Sequence, residues 1–367
     1  MRVLVTGANG FIGKNLVIRL KELGIFVETY TRKNSTQNLP DILQKVDFII
    51  HLAGENRPLD EKDFDIVNAG LTMSISHAIR QINRKIPIIF ASSTQASLEN
   101  AYGKSKLKAE AILKKLERDI VNPLYIYRLP GVFGKWSKPN YNSVVATFCH
   151  NISHNLPIQL NDPSFNLRLV HVDDVVEKFI SIIQGRTVNI KEVSVKPEYS
   201  ITVGELAKQI KRFHDSRNSL ISERVGIGLI RKLYSTYVSY FSTEDFSYSI
   251  PTHGDERGIF AEVLKTKDSG QFSFFTVEPG VSRGGHYHHS KTEKFLVITG
   301  EARFGFRNII TNETHKIFIS EKKLEIIETV PGWSHDITNI GKEKMVVMLW
   351  ANEIFDHNNS DTISFKV

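Results

Sequence analysis

Arg2-Val-Leu-Val-Thr-Gly7-Ala-Asn-Gly10-Phe11-Ile12-Gly13 opens the chain as a short apolar strand running into a glycine turn and then a helical pattern. Glycine at positions 7, 10 and 13 permits a tight turn and lets backbone amides approach a diphosphate at the amino end of the following helix. Working outward, short apolar runs recur at Phe26-Val27, Asp47-Phe-Ile-Ile-His51, Ile86-Pro-Ile-Ile-Phe90 and Leu124-Tyr-Ile-Tyr127, with helical stretches between them. Continuous apolar strands alternating with helices predict an α/β doubly wound parallel sheet covered on both faces. After residue 188 this pattern weakens, and Ser200-Ile-Thr-Val-Gly-Glu reads as the capped start of an amphipathic helix in a small substrate lobe, with Thr202 or Ser200 as the cap.

From Phe260 onward the texture changes to alternating runs punctuated by Gly, Asn and Pro, among them Phe272 to Val277, Phe295 to Ile298 and Met345 to Trp350. Many short strands at close spacing predict an all-β sandwich or barrel. The expected division is therefore residues 1–243, a nucleotide-binding reductase with its lobe, and 244–367, a β domain. No internal repeat or low-complexity segment interrupts either part.

The chain has 367 residues, 41% of them apolar and 24% charged, which suffices for two cored domains. One cysteine, Cys149, excludes an intrachain disulfide and points to a reducing, cytoplasmic compartment. The amino terminus is unlike an export leader, and no apolar run approaches the roughly 20 residues of a membrane span. A formal charge of +7 suits an anionic ligand, but no basic block with interleaved aromatics indicates a nucleic-acid surface.

Two groups of residues carry chemistry. In the first half, Tyr102 and Lys106 lie one helical turn apart and share a face. An ammonium beside a phenol favours the phenolate, so Tyr102 is expected to have a lowered pKa and to exchange protons near neutrality. Ser93 stands just past a strand, where its hydroxyl can bond the same substrate oxygen. The second strand ends in Arg32 and Lys33 where NAD-binding proteins place an acid. Two bases suit the 2′-phosphate of NADP, or else form an exposed basic loop.

In the second half, Gly280-Val-Ser-Arg283-Gly-Gly-His286-Tyr-His288 leads to Glu293, and Pro331-Gly-Trp-Ser-His335 follows. His286 and His288 are two apart on an expected strand, so both point to one face, with Glu293 on the next strand and His335 on a distant one. Three imidazoles and a carboxylate suit zinc or another divalent first-row metal and leave a position open for substrate oxygen.

These motifs resemble known families. The first two-thirds resembles the extended short-chain dehydrogenases/reductases: besides the glycine turn and the Tyr/Lys pair, His51-Leu52-Ala53-Gly54, Asn68 and Arg128-Leu-Pro-Gly-Val-Phe-Gly134 stand where that family has its Ala-Gly turn, helix asparagine and Arg-rich turn. The resemblance implies cofactor contacts at Gly7, Gly10, Phe11, Ile12, Gly13, Arg32, Lys33, Leu52, Ala53, Gly54, Asn68, Tyr102 and Lys106, with Ser93, Tyr102 and Lys106 catalytic. Related epimerases hold the nucleotide phosphate with an arginine shortly before a motif like His171-Val-Asp-Asp174. The nearest match, Arg168, is offset by one.

From residue 249 onward the chain is similar to the cupins. Asp255-Glu-Arg257-Gly-Ile-Phe-Ala-Glu262 and Arg283-Gly-Gly-His286 also resemble sugar-nucleotide 3,5-epimerases, which implies diphosphate contacts at Arg257 and Arg283 and a proton-abstracting histidine. The two likenesses conflict at His286, since a ring nitrogen bound to a metal cannot also be the base. The arginines could instead pair with Asp255 or Glu262. The full length resembles the bifunctional capsular-polysaccharide enzymes of the UDP-N-acetyl-L-fucosamine pathway. That implies C3 epimerisation of a UDP-4-keto-6-deoxy-N-acetylhexosamine by the cupin domain, NADPH-dependent C4 reduction to UDP-2-acetamido-2,6-dideoxy-L-talose, and a homodimer. Two alternatives are a keto-sugar reductase with a non-catalytic dimerisation or sensing cupin, and a redox-sensing NADP-binding regulator.

Overall fold

The computed structural model describes residues 1–58, 60–186, 194–322, 324–356, 358 and 360–367. The chain forms two compact units, Met1–Lys211 with Gly226–Phe241, and Arg212–Val225 with Ser242–Val367. A single cut near residue 243 was expected. The second unit also takes up Arg212–Val225, because β9 (Ile221–Ser222) pairs in parallel with β11 (Gly258–Thr266).

The first unit is built on five parallel strands, β1 (Arg2–Thr6), β2 (Phe26–Tyr30), β3 (Phe48–His51), β4 (Ile88–Ser93) and β5 (Leu124–Leu129), in the order β2-β1-β3-β4-β5. Side chains alternate across the sheet. Val3, Val5, Ile50 and Ile89 therefore pack on one face with α1 (Phe11–Glu22) and α6 (Val172–Ile183). Their neighbours Leu4, Ile49 and Ile88 pack on the other with α2 (Leu39–Leu43), α3 (Leu71–Gln81) and α4 (Ala101–Ile120). Burial on both faces explains the unbroken apolar runs in the sequence.

Phe64–Gly70, directly before α3, is wound as a π-helix. Past β5 come β6 (Gly131–Phe133), α5 (Val144–Ser153), β7 (Asn166–His171) and β8 (Glu198–Thr202), the three strands forming a small separate sheet. α7 (Val203–Ser219) begins with a capping box: Thr202 Oγ1 accepts from the Glu205 amide at 3.2 Å, and Glu205 Oε2 accepts from the Thr202 amide at 3.2 Å. Thr202 is thus the cap. α8 (Gly228–Val238) completes this unit. Among the described residues, no helix is long and apolar enough to cross a membrane.

The second unit is all β. Its strands are β9, β10 (Thr252–Asp255), β11, β12 (Gly270–Val277), β13 (Ser282–Tyr287), β14 (Glu293–Thr299), β15 (Glu301–Asn308), β16 (Thr314–Ser320), β17 (Ile327–Glu328), β18 (Trp333–Asn339), β19 (Met345–Ala351) and β20 (Ile363–Ser364). One sheet runs β10-β11-β12-β19-β14-β17 with β9 on β11, and the other runs β16-β15-β18-β13-β20. Phe275, Phe295, Val297 and Val347 of the first sheet pack with Phe304, Phe306 and Ile337 of the second in one apolar core.

Candidate functional site

The glycine turn lies at the carboxyl end of β1, the position where open α/β sheets bind dinucleotides. Gly7 has φ +68°, and a Cβ there would lie 2.7 Å from the Ala53 amide nitrogen. A Cβ on Gly13 would lie 2.2 Å from the Gly7 carbonyl oxygen. Only glycine fits either place. Gly10 is the cap of α1, and Phe11 and Ile12 turn their side chains toward the core. These residues therefore offer backbone rather than side chains, and first-turn amides have no carbonyl of their own helix to bond. Such a cradle fits the diphosphate of a nicotinamide cofactor.

Beside the cradle, Leu52, Ala53 and Gly54 follow β3, with the Leu52 and Ala53 amides both donating to Thr6 Oγ1 at 3.1 Å. A side chain at Gly54 would strike Asn68 Oδ1, 2.9 Å from the Cβ position, and would stand 3.7 Å from Lys106 Nζ. Asn68 is buried and donates to Ser105 Oγ at 2.9 Å. Arg32 and Lys33 lie in the turn after β2, both exposed enough to meet a ligand, and Arg32 reaches Glu55 Oε2 at 2.6 Å.

Lys106 is buried, donates Nζ to the Ala91 carbonyl at 2.7 Å and lies 4.5 Å from the Phe90 ring centre. Burial brings its pKa down to about 8, against an opposing pull from the Glu110 carboxylate. Tyr102 departs from expectation. Burial raises its pKa, and the Ser93 hydroxyl offsets this only in part. Loss of hydration sets the direction, so the phenol holds its proton at neutral pH.

Glu110, four residues beyond Lys106, escaped sequence reasoning. Its Oε1 accepts from Ser92 Oγ at 2.6 Å and Arg128 Nε at 2.8 Å, while Oε2 accepts from Arg128 Nη2 at 2.8 Å. Burial alone would raise its pKa, but Arg128 and Ser92 overcome this and keep it ionised. The carboxylate ties α4, which carries Tyr102 and Lys106, to the strand end that carries Ser93. The signal for it was a carboxylate on the same helix face as Lys106, among apolar residues. Arg168 sits on β7 and pairs with Glu198 at 2.6 Å with its side chain exposed.

In the second unit, His286, His288, Glu293 and His335 offer ligand atoms all within 4.8 Å of one another. His286 and His335 come from one sheet and Glu293 from the other. His288 lies just past β13 rather than on it, and the pairing of β13 with β18 shifts register between Gly284 and His286.

The donor chemistry tests the fit to a metal. His288 Nδ1 meets the carbonyl oxygen of Asp361, which can only accept, so that nitrogen carries a proton. In the neutral ring Nε2 is then a bare lone pair, buried 3.2 Å from Glu293 Oε2. Two facing electron pairs need a cation between them or a second proton on the ring. His335 Nε2 lies 3.3 Å from the same oxygen, and its buried Nδ1 has no partner among the described residues. Burial, with the neighbouring His335, brings the His286 pKa down to about 4, so this ring is neutral. Glu293 stays ionised: its burial is outweighed by the His288 and His335 rings, where each carries a proton toward it, and by the Lys291 ammonium. Three imidazoles around an ionised carboxylate fit a divalent metal ion.

His286, Glu293 and His335 of this cluster line a cavity of about 480 Å³ that also takes in Arg257, Arg283, Phe275, Gln271 and Lys291. Lys291, another residue missed from the sequence, is buried and holds Glu293 Oε1 at 3.0 Å. Arg257 pairs closely with Asp255 at 2.5 Å, whereas Arg283 is 3.8 Å from Asp255 and its buried Nε has no hydrogen-bond partner among the described residues. Glu262 pairs with Lys265 at 2.8 Å instead of with either arginine.

Residues 3–193 match the NAD dependent epimerase/dehydratase family. The chain belongs to that family. Within this family member, residues 253–363 match the polysaccharide biosynthesis C-terminal domain. It is 56% identical over 368 residues to the UDP-2-acetamido-2,6-beta-L-arabino-hexul-4-ose reductase of Pseudomonas aeruginosa, covering 100% of this chain and 99% of that protein. Its fold matches the capsular polysaccharide assembling protein CapF of Staphylococcus aureus with a TM-score of 0.93 and 39% identity over 100% of both chains. A UDP-glucuronic acid 4-epimerase from Bacillus cereus in complex with NAD shares the fold over 65% of this chain, with a TM-score of 0.56 and 17% identity.

Proposed function

We propose that this chain acts twice on a UDP-activated 4-keto-6-deoxy-N-acetylhexosamine: its second unit, a cupin, epimerises C3, and its first unit reduces C4 with NADPH to give UDP-2-acetamido-2,6-dideoxy-L-talose for capsular or O-antigen polysaccharide. The observation that carries the reductive half is the fixed Lys106, facing the Gly54 turn one helical turn from a Tyr102 that keeps its proton. Full-length likeness to a UDP-sugar ketone reductase supports the same substrate class.

When bound, a reduced nicotinamide supplies hydride to C4. Tyr102 gives its proton to the C4 oxygen as negative charge develops there, and its raised pKa suits donation rather than abstraction. Ser93 orients the ketone, and Lys106 holds its charge beside the phenol. Arg32, with Lys33 near it, would meet the 2′-phosphate of NADPH.

In the second unit, His286, His288, Glu293 and His335 would hold a divalent ion, zinc by its donor set. Such an ion supplies Lewis-acid polarisation of the C4 carbonyl, which acidifies the C3 hydrogen. Arg283 and Arg257 line the same cavity and suit the substrate diphosphate. Epimerisation precedes reduction, because reduction removes the ketone on which C3 acidity depends. A buried Cys149 thiol fits work in the reducing cytoplasm.

The test is incubation with the keto-sugar nucleotide and NADPH in heavy water, with C3 and C4 read by NMR. Deuterium at an inverted C3 and a new C4 hydroxyl are expected. A reduced product with protium and unchanged configuration at C3 would leave a reductase whose β domain is not catalytic. No NADPH oxidation would remove the reductive half.

A further inference from the structure

The nucleotide groove of the first unit contains an ion pair that hydride transfer does not use. Arg32, just past β2, donates Nη2 to Glu55 Oε2 at 2.6 Å. Glu55 follows the Leu52-Ala53-Gly54 turn after β3. Since β1 lies between β2 and β3, the link passes over the carboxyl end of β1, beside the glycine cradle.

The two partners are held very differently. Glu55 Oε1 accepts from the Tyr141 hydroxyl at 3.1 Å and from the Asn56 and Arg57 amides at 3.1 and 3.3 Å. Its peptide is gripped on both sides by Asn68, whose Oδ1 accepts from the Glu55 amide at 2.8 Å and whose Nδ2 donates to the Glu55 carbonyl at 3.0 Å. The Glu55 side chain is 14% exposed and that of Arg32 is 85% exposed. The carboxylate is therefore a fixed post and the guanidinium a free arm.

We propose that Glu55 is a specificity-setting residue that competes with the 2′-phosphate of NADPH for the Arg32 guanidinium. The inference rests on the NADPH reading above. A phosphate carries more charge and more acceptor oxygens than one carboxylate oxygen, so it draws Arg32 away, at the expense of the link to Glu55. The 2′-hydroxyl of NADH has no such pull and leaves Arg32 on Glu55. Glu55 thus moderates NADPH affinity and has little effect on NADH.

Glu55→Gln isolates this role, because an amide oxygen can keep the three Oε1 contacts while the Oε2 partner of Arg32 becomes a donor. Titration calorimetry with NADP+ and NAD+ on the full chain, in wild type, Glu55→Gln, Arg32→Ala and the double variant, with melting temperatures as a check on folding, tests it. Glu55→Gln is expected to tighten NADP+ about two- to fivefold, the reach of an exposed ion pair, with NAD+ unchanged and no effect in the Arg32→Ala background. Equal tightening of both cofactors, or the same change with and without Arg32, would mean general repulsion of the diphosphate and overturn the proposal, as would no change at all. Should Glu55→Gln fail to fold, Glu55→Asp, which shortens the reach to Arg32 by one methylene, is read in the same way. A wild type that binds NADP+ no better than NAD+, with Arg32→Ala neutral, would instead sink the NADPH reading itself.

Discussion

His288 takes its orientation from Asp361: the Asp361 carbonyl receives the Nδ1 proton, which leaves Nε2 directed at Glu293. The Asp361 carboxylate also accepts from the His289, Ser290 and Lys291 amides at 2.9, 2.7 and 2.9 Å, so it fixes the loop that carries the ring. These amides hold its pKa well below the usual carboxylate range. Asp361→Ala should lower metal affinity about 10- to 100-fold, the usual effect of removing support behind a ligand. Competition against a chromophoric chelator measures it, and an undiminished affinity would show that the loop holds itself.

The two chemistries should separate by mutation. Tyr102→Phe removes the proton donor and is expected to cut C4 reduction by about 10²- to 10⁴-fold while solvent deuterium still enters C3. His288→Ala, or chelation, should do the reverse: no deuterium at C3, with NADP+ binding intact. Loss of deuterium uptake in Tyr102→Phe, or of NADP+ binding in His288→Ala, would contradict separate sites.

Reduction should weaken in alkali. Burial brings the Lys106 pKa down to about 8, so Lys106 is charged below that pH and loses its proton as the pH rises through it. Tyr102, with its pKa raised, stays protonated across the same interval. The kcat/KM for reduction is expected to be level below pH 8 and to fall above it. Glu110→Gln deletes the carboxylate that favours the charged lysine and should move the fall to lower pH. A limb that stays put in Glu110→Gln would assign the titration to another group.

The parallel sheet was legible because strands buried on both faces leave unbroken apolar runs, and the meeting of His286, His288, Glu293 and His335 because their spacing survives the fold. Tyr102 and Lys106 were found by their helical spacing, but the direction of the Tyr102 shift was not. It depends on how much water the phenol loses, which spacing does not encode. Glu55 and Asp361 act through partners far off in the chain, 86 residues away for Glu55 and Tyr141, and no local pattern marks them, whereas Glu110 and Lys291 stand near the residues they serve but owe their roles to burial. The place of Arg212–Val225 was equally hidden, since it turns on a two-residue pairing with β11.

The π-wound stretch Phe64–Gly70 accommodates an extra residue relative to ordinary helical winding. Asn68, within it, grips Glu55, while Thr72, just after it, meets His51 at 3.0 Å. Deleting one residue here would restore regular winding with the helix beyond it kept in register, so Thr72 would still meet His51 while Asn68, inside the stretch, would lose its grip on Glu55. Sequence drift in this stretch is thus freer in residue type than in residue number.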